Sequence, residues 1–169
     1  MRIYLLGFMG SGKSHWGKIW AKVHQLEFID LDKEIEHACG LLIPDIFEKK
    51  GEDFFRDMEA RMLRATAAND DCIISCGGGA PCFAGNMEWM NANGHTIFLE
   101  APPVYLFENI KKETGTRPLI NHMNEAELLF FIEQKLKERM PFYRQAKTTA
   151  PAKELTEESF EKIIQQITS

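Results

Sequence analysis

The sequence lacks several things at once, and each absence narrows what the protein can be. No apolar run approaches the roughly 18 residues that a membrane-spanning helix needs. A basic surplus is missing too: 25 acidic residues stand against 20 basic ones among 169, a net charge of −5. Such a chain is not built to coat a nucleic acid, although local basic groups can still hold a small anion. Its 12 glycines and 7 prolines are ordinary numbers that exclude collagen-like and low-complexity classes. The four cysteines, Cys39, Cys72, Cys76 and Cys82, form no C-x-x-C pair and have no histidine or second pair at zinc spacing. They are expected to be free thiols of a reducing compartment. The apolar stretch Ile3–Met9 behind Arg2 is short for a signal sequence, lacks a small-x-small cleavage site and meets Lys13 at once. It reads as a buried strand of a cytoplasmic protein. With 44% hydrophobic residues and no visible repeat or linker, one domain over 1–169, a monomer, is expected.

What is present alternates. Short apolar runs at Ile3–Leu6, Glu27–Asp30, Cys72–Cys76 and Thr96–Leu99 read as buried strands, with a weak fifth at Lys147–Thr149. Between them lie helical patterns at Ser14–His24, Asp32–Cys39, Pro44–Lys50, Asp53–Ala68, Asn86–Asn93, Pro102–Lys112 and Glu125–Met140, the last stopped at Pro141. Phe160, Ile163, Ile164 and Ile167 mark a final amphipathic helix. On the first helix Trp16, Ile19, Trp20 and Val23 form one apolar stripe, so the tryptophans are expected to pack rather than stack on a base. Glu113–Asn124 has no periodicity and a length typical of lid loops. The alternation predicts a three-layer α/β domain with a five-stranded parallel sheet and helices on both faces.

The residues from Gly7 to Ser14 match G-x-x-x-x-G-K-[ST], the phosphate loop, between a strand and a helix as that motif requires. Inward amides of Gly10, Ser11, Gly12, Lys13, Ser14 and His15, together with the helix start, would cradle the phosphates of ATP. Lys13 would reach the β- and γ-phosphates, and the Ser14 hydroxyl would ligate one Mg²⁺ ion. No N-K-x-D string reads a guanine base, and the strand at Ile73-Ile74 ends in glycines rather than an acidic pair. A small-molecule kinase of gluconate or nucleoside type, or an ATP-dependent sensor, remains open at this point.

The second strand runs into Asp30-Leu31-Asp32, and strand C-termini of a parallel sheet open onto the ligand crevice. Asp30 is a candidate to hold a Mg²⁺-bound water. Asp32 is a candidate base for an attacking hydroxyl, or else an N-cap. Gly77-Gly78-Gly79 would let a ligand approach closely. Arg56, with Glu59 one turn on, Arg117 in the lid and Arg139 before Pro141 suggest sites for a second, anionic ligand and for the transferring phosphate.

In this order and spacing the phosphate loop, Asp30-x-Asp32, Phe55-Arg56-x-x-Glu59, Gly77-Gly78-Gly79, Arg117-Pro118-Leu119 and Arg139-x-Pro141-x-Tyr143 resemble the shikimate kinase family, over about residues 3–145. The resemblance implies a P-loop kinase fold and transfer of the ATP γ-phosphoryl group to the 3-hydroxyl of shikimate, a step toward chorismate and the aromatic amino acids. It implies that Asp32 binds the substrate hydroxyls and is the base. It further implies that Arg56 and Arg139 grip the carboxylate, that Gly78 adds a backbone contact, and that Arg117 closes from the lid onto the phosphates. The chain departs from that pattern at His15 and Trp16, where small residues are common, at Ile110, where a basic residue often stands, and along Lys147–Lys153 on the adenine side.

Overall fold

The structure, a computed structural model, describes residues 1–113, 120 and 122–169. Its centre is a sheet of five parallel strands, β1 (Arg2–Leu6), β2 (Glu27–Asp30), β3 (Cys72–Ser75), β4 (His95–Glu100) and β5 (Thr148–Pro151), in the order β2-β3-β1-β4-β5. Among the described residues eight α-helices connect and cover them: α1 (Lys13–His24), α2 (Leu31–Cys39), α3 (Ile43–Lys50), α4 (Glu52–Ala65), α5 (Asn86–Asn93), α6 (Pro103–Lys112), α7 (Glu125–Tyr143) and α8 (Ser159–Thr168).

The period-2 geometry of a strand explains why the sheet has two cores. Along β1, Ile3 and Leu5 join Trp20, Leu106, Ile132 and Phe160 in one apolar cluster. Tyr4 and Leu6 join Ile35, Ile46, Leu63 and Met90 in the other. These four β1 side chains are fully buried, so the central strand is apolar on both faces, as the sequence pattern predicts. Trp20 packs as expected, stacked on Phe160 with its Nε1 donating to the Thr156 carbonyl at 3.0 Å. The cysteines are free thiols, with Cys72 and Cys76 buried. Among the described residues no helix is long and apolar enough to cross a membrane.

Three expectations need correction. Val23 is 53% exposed, because the face of α1 that meets the sheet is Gly17, Trp20 and Ala21, one position off the apparent stripe. The helix assigned to Asp53–Ala68 ends at Ala65, and Thr66–Ala68 tightens into a 3-10 turn. Pro141 does not stop α7, which continues to Tyr143. A proline this close to a C-terminus removes only one backbone bond. The extra turn is held by Tyr143, fully buried and stacked on Phe98 with ring centres 4.9 Å apart.

Candidate active site

The loop between β1 and α1 is shaped by glycine. Gly10 (φ 82°) and Gly12 (φ 94°) adopt left-handed backbone that other residues rarely tolerate. Gly12 caps α1 with no side-chain hydrogen bond, leaving the helix start to an outside anion. Lys13 Nζ donates to the carbonyls of Gly7 (2.7 Å) and Phe8 (3.0 Å), curled over the loop it would leave for a phosphate. Asn109 on α6 donates from Nδ2 to the Gly10 carbonyl at 2.8 Å and steadies the loop from above. Next to it Ile110 is fully buried, with Cγ1 only 3.0 Å from where a Gly10 Cβ would stand. The position that departs from the family pattern therefore packs against the loop.

The register brings the catalytic candidates to one sheet edge. Asp30, the last residue of β2, pairs with Ser75, the last of β3. Ser14 Oγ donates to Asp30 Oδ2 at 3.1 Å and lies 3.2 Å from Ser75 Oγ. This all-oxygen cluster beside the phosphate loop suits a hard divalent cation. Asp30 is also the N-cap of α2, accepting from the Lys33 amide at 3.3 Å, so the capping role open to Asp32 belongs to Asp30. Asp32 is left in the first turn of α2, half-buried and facing the site. Burial, with Asp30 beside it, raises its pKa, while Lys13 pulls the other way.

The triple glycine is where the remaining groups meet. A Cβ on Gly77 would stand 3.0 Å from Asp32 Oδ1 and 3.1 Å from Glu59 Oε2. One on Gly78 would stand 2.9 Å from Arg139 Nη1, and one on Gly79 2.7 Å from Arg56 Nη2. Each glycine thus forms the floor under one or two charged side chains arriving from α2, α4 or α7. The close approach predicted for a ligand is made first by the protein's own side chains. Tyr143 donates from its hydroxyl to the Gly78 carbonyl at 2.6 Å, fixing the middle of the run. The cleft in front, about 790 Å³, is lined by residues including Lys13, Ser14, His15, Asp30, Asp32 and Gly78, a size that fits a nucleotide with a small second ligand. Neither arginine lines the cleft: Arg139 lies behind Gly78, which does, and Arg56 lies against Gly79, one residue further on. Arg117, and most of the lid assigned to 113–124, lie outside the described residues.

Three members were not assigned roles from sequence. Ser75 had a signal, being the one hydroxyl at the end of an apolar strand. Tyr143 had another, four residues after Arg139 on one helical face, hidden by the assumption that Pro141 ends the helix. Asn109 had none.

Glu59 is fully buried beside Asp32 on this floor. Its Oε1 accepts from Arg56 Nη1 at 3.0 Å, while Oε2 has no hydrogen-bond partner among the described residues. Burial raises its pKa from 4.5 to about 7, with Arg56 opposing. A raised carboxyl favours the folded state while both states hold the proton. That advantage is lost as pH rises from 4.5 to 7, where only the unfolded chain releases it. Urea melts at pH 5 and pH 8 should therefore show a fall on the order of 3 kcal/mol that is absent in Glu59→Gln. Parallel pH dependence in the two proteins would refute this.

Comparison with known proteins agrees with the geometry. A family model described as shikimate kinase matches residues 9–168. A shikimate kinase of Phocaeicola vulgatus is 43% identical over 91% of this chain and 88% of its own. The crystal structure of a shikimate kinase from Bacteroides thetaiotaomicron superposes with a TM-score of 0.93 at 40% identity, covering 99% of this chain and 98% of that one. A shikimate kinase from Acinetobacter baumannii, solved in complex with shikimate, gives a TM-score of 0.86 at 34% identity over 99% of this chain and 92% of that one.

Proposed function

This chain belongs to the shikimate kinase family, and from that premise we propose that it transfers the γ-phosphoryl group of ATP to the 3-hydroxyl of shikimate, releasing ADP and shikimate 3-phosphate. The observation that carries the reading is the convergence of Asp32, Arg139 and Arg56 on three consecutive glycines beside the phosphate loop.

The loop amides from Gly10 to His15 hold the triphosphate, and Lys13 exchanges the Gly7 and Phe8 carbonyls for phosphate oxygens. Asp30 and the Ser14 hydroxyl, 3.1 Å apart, would hold a Mg²⁺ ion, Asp30 by way of a bound water, and the ion would supply neutralisation of charge on the phosphates. Arg56 and Arg139 take the substrate carboxylate, with the Gly78 backbone beside them. Asp32 accepts the proton of the 3-hydroxyl as that oxygen bonds to the γ-phosphorus and the bond to the ADP oxygen breaks. Burial keeps Asp32 a stronger base than a solvated carboxylate. Arg117, by its place in the motif order, meets the charge that builds on the transferring group. The protein works in the cytoplasm as a monomer.

The test is ADP release measured by a coupled assay across shikimate, gluconate and nucleosides. Shikimate-dependent turnover is the expected result, and folded protein with Mg-ATP that shows none would overturn the reading. The glycine floor gives a sharper check. Gly79→Ala adds a methyl group against the side-chain end of Arg56, not against backbone, so the fold should survive the displacement of that end from its contacts with a loss of about 1–3 kcal/mol. Displacing the guanidinium should raise the shikimate KM roughly tenfold and leave the ATP KM alone. Equal effects on both substrates would point to general damage.

A further inference from the structure

Arg56 is fixed at its edges by carboxylates: Nη1 donates to Glu59 Oε1 at 3.0 Å, and Nε lies 3.4 Å from Glu52 Oε1. Around it stand three aromatic rings, with Cζ 4.1 Å from the ring centre of Phe83, 5.1 Å from Phe55 and 6.0 Å from Phe47. Phe47 and Phe55 pack on each other and belong to the apolar core. Phe83 does not. It is the nearest of the three, yet 38% of it is exposed, so burial alone does not explain where its ring sits.

What explains it is the loop that carries it. Phe83 follows a 3-10 turn, Ala80–Cys82, and precedes Ala84 and Gly85, both in the left-handed region with φ of 52° and 64°. A left-handed alanine persists only where its surroundings hold it. Arg64 donates to the Ala84 carbonyl and to Asn86 Oδ1, each at 2.8 Å. Asn86, itself fully buried, donates from Nδ2 to the Ala80 carbonyl and from its backbone to the Phe83 carbonyl, both at 2.9 Å. The backbone on either side of Phe83 is thus tied down, and a half-exposed ring is held over a cation.

We propose that Phe83 is a positioning residue: its ring covers the Arg56 guanidinium and fixes the plane in which the Nη2 side, over Gly79, is presented to the carboxylate of the acceptor substrate. Glu59 and Glu52 set the guanidinium edge, and Phe83 sets the tilt that those two contacts leave undetermined. The proposal rests on the assignment of Arg56 to that carboxylate. A cation over an aromatic face is favourable by itself, and a planar fork that is already oriented loses less freedom when it binds.

Steady-state kinetics with both substrates varied, on Phe83→Ala, Phe83→Tyr, Arg56→Ala and the Phe83→Ala/Arg56→Ala double variant, decide the matter. Phe83→Ala should raise the shikimate KM roughly three- to tenfold, with kcat and the ATP KM within about twofold of the parent. Phe83→Tyr, which keeps the ring, should restore the parent value. In the Arg56→Ala background the Phe83 substitution should change nothing further, because the group it positions is gone. A shikimate KM unmoved by Phe83→Ala, or moved equally with and without Arg56, overturns the positioning role. If Arg56→Ala itself leaves the shikimate KM at the parent value, the carboxylate assignment falls and this inference falls with it.

Discussion

Asp32→Asn should leave ATP binding within about twofold of the parent and remove roughly 10²–10⁴ of kcat, the range that a positioned base supplies. The two side chains have nearly the same shape, so the packing of Asp32 against Gly77 is kept and only the proton acceptor is lost. Lys13 and the loop amides, assigned above to the nucleotide, are untouched by the change. Calorimetric titration of ATP separates binding from chemistry, and turnover at saturating shikimate reads the loss. A variant with parental kcat would show that the proton leaves by another route and that Asp32 only orients the acceptor.

The same residue predicts a pH signature. Burial and the neighbouring Asp30 raise its pKa, and the base works only when ionised. The parent kcat/KM for shikimate should therefore climb with pH along an acid limb whose midpoint lies above the ordinary carboxylate range, and Asp32→Asn should lack that limb. Glu59 titrates at about 7 in the same region. Repeating the kcat/KM profile in Glu59→Gln separates its effect on Arg56 from the limb that belongs to Asp32.

How much of this was legible in the sequence depended on how local each feature is. The phosphate loop is a contiguous string whose glycines and lysine act within a few residues of one another, and it formed where the motif placed it. The parallel sheet followed from short apolar runs divided by helical patterns, and its two-sided core from the unbroken hydrophobicity of β1. Asp30 and Asp32 were recognisable as a pair at a strand end. Which of them capped the helix was not, because the boundary between β2 and α2 turns on one residue. The triple glycine showed that something came close, but not that Asp32, Glu59, Arg139 and Arg56 do. Those four lie on three helices whose convergence is tertiary. The extension of α7 past Pro141 was invisible for a related reason. Local rules end a helix at proline, and the contacts that override them, Tyr143 with Phe98 and with the Gly78 carbonyl, come from elsewhere in the chain.

Arg139→Ala should weaken shikimate binding about 10- to 10²-fold, the cost of losing hydrogen bonds between a charged donor and a charged acceptor. The guanidinium lies over the Phe8 ring at 5.2 Å and beside Gly78, so it is set between the phosphate loop and the glycine floor without being part of the nucleotide cradle. The ATP KM should stay near the parent value. Tyr143 contacts Gly78 through its own hydroxyl, so the floor should hold its shape and kcat at saturating shikimate should fall far less than kcat/KM. Lys at this position keeps the charge and loses the two-pronged donor, and is expected to recover only part of the affinity. A variant in which the ATP KM rises and the shikimate KM does not would move Arg139 from the acceptor site to the nucleotide, and would leave Arg56 as the single anchor for the carboxylate.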